Sequence, residues 1–158
     1  MKIDKSNLPY RKGVIGLVVD EKGKVLLAQM LEYGDHQWRF PGGGIDEGES
    51  DNIALIRELK EELQTNKFKI VKKSKYVNEY DWPDEVIKRQ HKKSGKYWRG
   101  QQQSQFLVKF TGKKSDINPD PKEIKNIKWV SVEELEEHLV FPRQWELAEL
   151  IIKELLGN

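Results

Sequence analysis

Glu58, Glu61 and Glu62 stand at relative positions 0, 3 and 4, so a helix through them sets three carboxylates on one face. Like charges about one turn apart repel. A chain tolerates that on a solvated helix face, the ordinary fate of acidic runs, or uses it to hold a hard cation such as Mg²⁺. Held cations would neutralise negative charge on a bound group and would make a bound water more acidic. A zinc site or a histidine nucleophile finds no partners in the sequence. There are no cysteines, which excludes disulfides and thiolate metal sites, and the three histidines, His36, His91 and His138, are scattered in polar contexts and read as surface residues.

The elements that must position the carboxylates can be read on either side of them. Gly13–Val19 reads as a buried strand, Asp20-Glu21-Lys22-Gly23 as a turn and Lys24–Met30 as the returning strand. Trp38-Arg39-Phe40 reads as a short strand, stopped by Pro41 and a turn of three glycines. The acidic helix follows, capped by Ser50 or Asp51, with Ile53, Ile56 or Leu55, Leu59 and Leu63 toward the core and the acids facing out. Strand character returns at Phe68–Val71 and Tyr76-Val77, and is strong at Gln105–Phe110 and Ile127–Val130. Asp81–Gly100 is polar and reads as a loop with a helical turn at Glu85–Arg89. Ser131-Val132-Glu133-Glu134 has the form of a capping box, and Trp145, Ala148, Ile152 and Leu155 recur at the spacing of a closing amphipathic helix. A mixed sheet between helix layers in a single α/β domain over 1–158 is the expected form.

The chain has 158 residues, 37% hydrophobic and 34% charged, enough for one domain with a real core. No apolar run approaches the roughly 20 residues that span a bilayer, and the N-terminus lacks the apolar stretch of a signal peptide, so a cytoplasmic protein that does not bind membranes is expected. The net charge is +2, unevenly spread: between Val86 and Lys128 twelve Lys or Arg face three acids, Asp116, Asp120 and Glu123. That stretch suits either a lysine-rich solvated surface or attraction of a polyanion such as RNA or a polyphosphate chain.

Gly43, Glu49, Arg57, Glu58, Leu59, Glu61 and Glu62 fit the pattern G-x5-E-x7-R-E-L-x-E-E, which resembles the signature of the Nudix hydrolases. The pattern usually continues with a Gly and an aliphatic residue where Gln64 and Thr65 stand; Asn66 is expected to end a slightly longer helix instead. Tyr10-Arg11, Tyr80–Val86, Gly95-Lys96-Tyr97-Trp98-Arg99-Gly100-Gln101-Gln102-Gln103 and Glu123 resemble the subgroup containing dinucleoside polyphosphate hydrolases and RNA 5′-pyrophosphohydrolases. This resemblance implies an α/β/α sandwich with a mixed sheet. It also implies hydrolysis of diadenosine tetraphosphate, a related dinucleotide or the 5′ triphosphate end of RNA, with Mg²⁺, or Mn²⁺ in its place. Gly42, Ser104-Gln105, Met30 and Pro142 depart from the subgroup, mostly where the RNA enzymes hold RNA. A nucleoside triphosphate or nucleotide-sugar hydrolase is the alternative within enzymes, and a non-catalytic nucleotide-binding module the alternative outside them.

By the same resemblance the metal ligands are the carbonyl of Gly43 and the carboxylates of Glu58, Glu61, Glu62 and Glu123. Glu58 is the first choice of general base and Glu123 the second. Glu49 and Arg57 pair and tie the turn to the helix. Arg11, Lys96, Arg99 and Arg143 are candidates for phosphate contacts, or else solvated side chains. Gln101 and Gln103 fall on the substrate side, and Tyr80 and Phe141 either stack on a base or pack in the core.

Overall fold

The structure, a computed structural model, describes residues 2–157; Met1 and Asn158, the ends of the expected 1–158 domain, lie outside the described residues. Its centre is strand β1 (Arg11–Val19), buried over six consecutive residues. Such a continuous apolar run marks a strand covered on both faces. Asp20 turns the chain by accepting at Oδ1 from the backbone N–H groups of Lys22 (2.9 Å) and Lys24 (2.8 Å), and β2 (Val25–Met30) returns antiparallel to β1. On the other flank β5 (Gly100–Phe110) runs parallel to β1, from Arg11 opposite Gln101 to Val19 opposite Lys109. With β4 (Phe68–Asp81) beyond β5 and β6 (Ile124–Val130) beyond β2, the sheet order is β4-β5-β1-β2-β6.

The glycines after Pro41, expected as a turn, form strand β3 (Gly42–Gly44), antiparallel to the first half of β1 through Gly13–Gly44 and Ile15–Gly42. Two successive glycines there have a packing reason. A Cβ at Gly43 would push the Glu58 carboxylate aside, and one at Gly44 the Arg11 guanidinium. The Trp38–Phe40 strand shrinks to one bridge, in which Arg39 and Ala28 exchange backbone hydrogen bonds of 2.8 and 2.9 Å.

Helix α1 (Asp51–Leu63) starts at Ser50, whose side chain accepts from the Ile53 N–H. Ala54, Leu55, Leu59 and Leu63 pack on Val14, Val18, Leu26, Phe106 and Val108, one face of the sheet. Two expectations about its faces fail. Ile53 is exposed, with Leu55 taking the core position, and Glu62 is 1% exposed rather than facing solvent. At 3.6 residues per turn Glu62 lies beside Leu55, Leu59 and Leu63, so an i, i+4 spacing from Glu58 still lets it fall on the sheet side. The helix is not prolonged to Asn66: Gln64 itself adopts the left-handed conformation (φ 57°) and donates its N–H to the Lys60 carbonyl.

The sheet's other face, with Ile15, Leu17, Val25, Leu27 and Leu107, is covered by Leu135 and Leu139, from and just after the short helix α3 (Leu135–His138), and by Ala148, Ile151 and Ile152 of α4 (Gln144–Leu156). Adjacent residues of β1, β2 and β5 thus face different helix layers, the period-two signature of an α/β/α sandwich. The Ser131–Glu134 capping box forms as expected. The segment expected as a loop holds a full helix, α2 (Asp84–Ser94), closed by Gly95 at φ 76°. It buries only Ile87, so its polar composition hid it from a periodicity reading. Among the described residues no helix is long and apolar enough to cross a membrane.

Candidate active site

Arg57 organises the acidic end of the molecule. Its Nε and Nη2 grip both oxygens of Glu49 at 2.7 and 2.8 Å, and Nη2 also donates to the Gly44 carbonyl at 2.9 Å. Nη1 reaches Glu58 Oε1 at 3.0 Å and Glu61 Oε1 at 3.2 Å. One guanidinium therefore fixes the turn, strand β3 and two of the three helix carboxylates together. Glu49 also accepts from the Asp46 N–H at 2.8 Å. The Arg57 hydrogen bonds, then that backbone bond, hold its carboxyl down at about 2, and the same pairing drives the guanidinium further up.

Burial pushes the Glu58 carboxyl above the ordinary range. Arg57 opposes this, and the charges of Glu61 and Glu123 add to it. Glu62 lies deeper, with Oε1 accepting from the Gly42 N–H at 2.9 Å and Oε2 from Arg39 Nη2 at 3.0 Å. Burial pushes its carboxyl up to about 7 against the pull of Arg39. Glu123 is exposed, at the end of a turn closed by its N–H to the Asp120 carbonyl (3.0 Å). The loop that carries it is fastened to the end of α1, because Asn118 and Asp120 donate to the carbonyls of Leu63 and Glu62, both at 2.9 Å. Among the described residues no three acidic or histidine side chains enclose an ion as they stand. Arg57 engages one oxygen of Glu58 and both of Glu61, and Arg39 engages Oε2 of Glu62.

Beside these acids, between the sheet and the start of α4, lies a pocket of about 880 Å³. Tyr80, Gln101, Gln103, Phe141 and Arg143 line it, as do Tyr33, Arg39 and Asn78, which sequence reasoning passed over. Phe141 meets Tyr33 edge-on at 5.1 Å. Gln101 Oε1 accepts from Tyr80 OH (2.8 Å) and from Gln103 Nε2 (2.7 Å), and Gln103 Oε1 from Asn78 Nδ2 (3.2 Å), a polar row along one wall. Arg143 enters α4 at φ 64°, an uncommon conformation for a side-chain-bearing residue and one often found at working sites. Arg11 lies against Gly44 with its guanidinium 5.3 Å from the Trp98 ring centre. Arg99 binds Asp81 at 3.0 Å, and neither it nor exposed Lys96 lines the pocket. Of the passed-over residues, Arg39 had a signal: in Trp38-Arg39-Phe40 strand alternation puts it opposite two aromatics, three residues before Gly42.

The sequence profile of the NUDIX domain matches residues 9–151. An RNA pyrophosphohydrolase of Sphingopyxis alaskensis is 36% identical over 156 residues, covering 96% of each chain. One from Rickettsia africae is 33% identical over 154 residues, covering 94% of this chain and 91% of its own. Among solved structures, a Caenorhabditis elegans Ap4A hydrolase superposes with a TM-score of 0.65 at 20% identity, over 92% of this chain and 99% of its own, and shares the fold. A glycine strand pinned under a carboxylate helix by one arginine, a sandwich around it and a profile match across most of the sequence lead to one conclusion: the chain belongs to the Nudix family of pyrophosphate-cleaving hydrolases.

Proposed function

We propose that the chain acts as a single Nudix hydrolase domain that cleaves a pyrophosphate bond in a nucleotide. Its substrate is diadenosine tetraphosphate, a related dinucleoside polyphosphate or the 5′ triphosphate end of RNA, and its ion Mg²⁺, or Mn²⁺ in its place. The observation that carries this reading is the Arg57 hub, which joins Glu58 and Glu61 to the Gly44 carbonyl while Glu62 touches the pocket's Arg39. The names of the sequence relatives support it.

Nudix hydrolases generally use divalent metals, and the residues present fit such an ion. All the candidate donors are hard oxygens: the Gly43 carbonyl and the carboxylates of Glu58, Glu61, Glu62 and Glu123. Glu58 occupies the space that a Cβ at residue 43 would fill, and its own charge is opposed by those of Glu61 and Glu123, a repulsion that a cation relieves. When bound, the ion neutralises phosphate charge and makes water a better nucleophile.

The chain's residues supply the rest. Glu58 Oε2 makes no bond to Arg57 and takes the proton of the attacking water. The water oxygen bonds to phosphorus, and the anhydride P–O bond breaks with its electron pair leaving on the departing phosphate. Glu123 is the second choice of base. Arg57 and Glu49 act by positioning, since small displacement of reacting groups is costly. Tyr80 and Phe141 hold a base, Gln101 and Gln103 meet its polar edge or the ribose, and Arg11 and Arg143 meet phosphate. Arg99 and Lys96 assist at the rim if the substrate extends beyond the pocket.

The test is a panel with Mg²⁺ of diadenosine tetraphosphate, triphosphorylated RNA, nucleoside triphosphates and ADP-ribose. Turnover of one of the first two ahead of the others is expected. Tight binding of all with turnover of none would make the chain a nucleotide-binding module.

A further inference from the structure

Arg39 stands where the pocket meets the carboxylate helix. Its backbone is fixed by the bridge to Ala28, so the side chain leaves from a rigid position. Its hydrogen bonds all come from Nη2, to Glu62 Oε2 at 3.0 Å and to the Gly42 carbonyl at 3.1 Å. Nε is buried with no hydrogen-bond partner, and Nη1 makes no hydrogen bond among the described residues. A buried charged donor left unmet is expensive, and folded proteins keep few of them without a use. The same side chain lines the pocket beside Tyr33, Tyr80 and Phe141. Arg39 thus combines spare donors at a site for an anionic ligand with a single carboxylate partner, one of the acids assigned above to the metal.

We propose that Arg39 is an exchangeable counter-ion: it neutralises Glu62 until a divalent ion takes over that carboxylate, and then grips the substrate phosphate next to the base held in the pocket. The inference rests on the metal-dependent reading of Glu62. Glu62 is 1% exposed, and its other oxygen is already bonded to the Gly42 N–H, so an ion and a guanidinium compete for Oε2. The competition is reciprocal: whatever Arg39 does to metal affinity, metal does to the hold on Arg39. A guanidinium suits the second task because its planar fork can bind two phosphate oxygens, which an ammonium cannot. The exchange also frees Nη2, so the whole fork of Arg39 becomes available to phosphate once the ion is in place.

The test separates this role from a simple brace. Mg²⁺ alone, titrated calorimetrically at alkaline pH without nucleotide, should bind Arg39→Gln about tenfold more tightly than the parent, because the competitor is gone. Inorganic pyrophosphate with Mg²⁺ should bind the same variant about tenfold more weakly, the scale of lost charge-assisted hydrogen bonds. If Arg39 only braced Glu62, its loss would weaken Mg²⁺ binding, and that result overturns the exchange. A measurement on the parent covers the case in which Arg39→Gln does not fold. The Arg39 Nε–H resonance, assigned by its absence in Arg39→Lys, should shift on adding Mg²⁺ and shift again on adding pyrophosphate. A resonance unmoved by pyrophosphate overturns the clamp. Failure of Mg²⁺ to bind the parent at all removes the metal-dependent reading and the exchange with it. Mg²⁺ binding in the parent that weakens in the variant removes the exchange alone.

Discussion

Glu58 and Glu62 belong to one helix and differ in what surrounds them. Glu58 keeps an oxygen clear of Arg57, while Glu62 has both oxygens occupied and almost no contact with water. Burial raises the Glu62 carboxyl from its ordinary 4.5 to about 7. Because the folded value lies above the unfolded one, the folded protein holds the extra proton between them. The metal-free protein therefore loses stability as pH rises through that interval and levels off above it. A divalent ion competes with that proton, so its stabilising effect grows over the same range. Thermal melts with and without Mg²⁺ should show a larger metal-induced rise in Tm at about pH 8 than at about pH 5. Equal rises would argue against Glu62 as a ligand. Arg57 has a different signature. Arg57→Lys keeps a charge but loses the fork that joins Glu49, Gly44, Glu58 and Glu61. It should lower kcat by about 10²-fold with a smaller change in KM, the scale of a misplaced catalytic group. A change in KM alone would assign Arg57 to substrate binding.

At the scale of elements, the family pattern was legible because its spacing encodes contacts: Gly43 is where Glu58 lies, and Glu49 is one grip of Arg57 away. The strand pair β1–β2, β5, α1 and α4 were legible because each has an apolar periodicity. Helix α2 was not, since it meets the core only through Ile87, and neither was β3, since three glycines carry no side-chain pattern. The burial of Glu62 was not legible because a charge at a core-facing position needs a partner, Arg39, that lies 23 residues away in sequence and is brought near only by the sheet. The end of α1 lies earlier than expected because Gln64 takes the left-handed conformation, which is disfavoured for Gln, and closes the helix on the Lys60 carbonyl. Gln64→Gly should relieve that strain and raise stability by about 1 kcal/mol, read from denaturant midpoints. No gain would mean that the Gln64 side chain makes a compensating contact.

Across the whole molecule, the sandwich puts the carboxylate helix on one face of the sheet and α4 on the other, and the pocket opens where Arg39-Phe40, β4, β5 and the start of α4 meet. Pro142 gives the pocket wall no charge where a basic residue would serve RNA, and none of the twelve basic residues of the Val86–Lys128 stretch lines it. Phosphate contacts dominate RNA affinity, so their absence should cost a long anionic chain more than a dinucleotide. Diadenosine tetraphosphate is therefore expected to be cleaved faster than triphosphorylated RNA at matched concentration and ordinary salt. Efficient release of pyrophosphate from RNA with the dinucleotide almost untouched would reverse the order and make the protein an RNA 5′-end processor.

The proposed hydrolysis of a pyrophosphate bond depends on the carboxylates gathered by Arg57. It is tested most directly by comparing the turnover of diadenosine tetraphosphate and of triphosphorylated RNA by the parent and by Glu58→Gln, each with Mg²⁺. The substitution keeps size and polarity while removing the charge and the proton acceptor. Turnover by the parent and a loss of about 10²–10⁴-fold in the variant, with the Tm nearly unchanged, is the predicted result. Turnover by the variant within about tenfold of the parent would remove Glu58 from the chemistry and contradict the account.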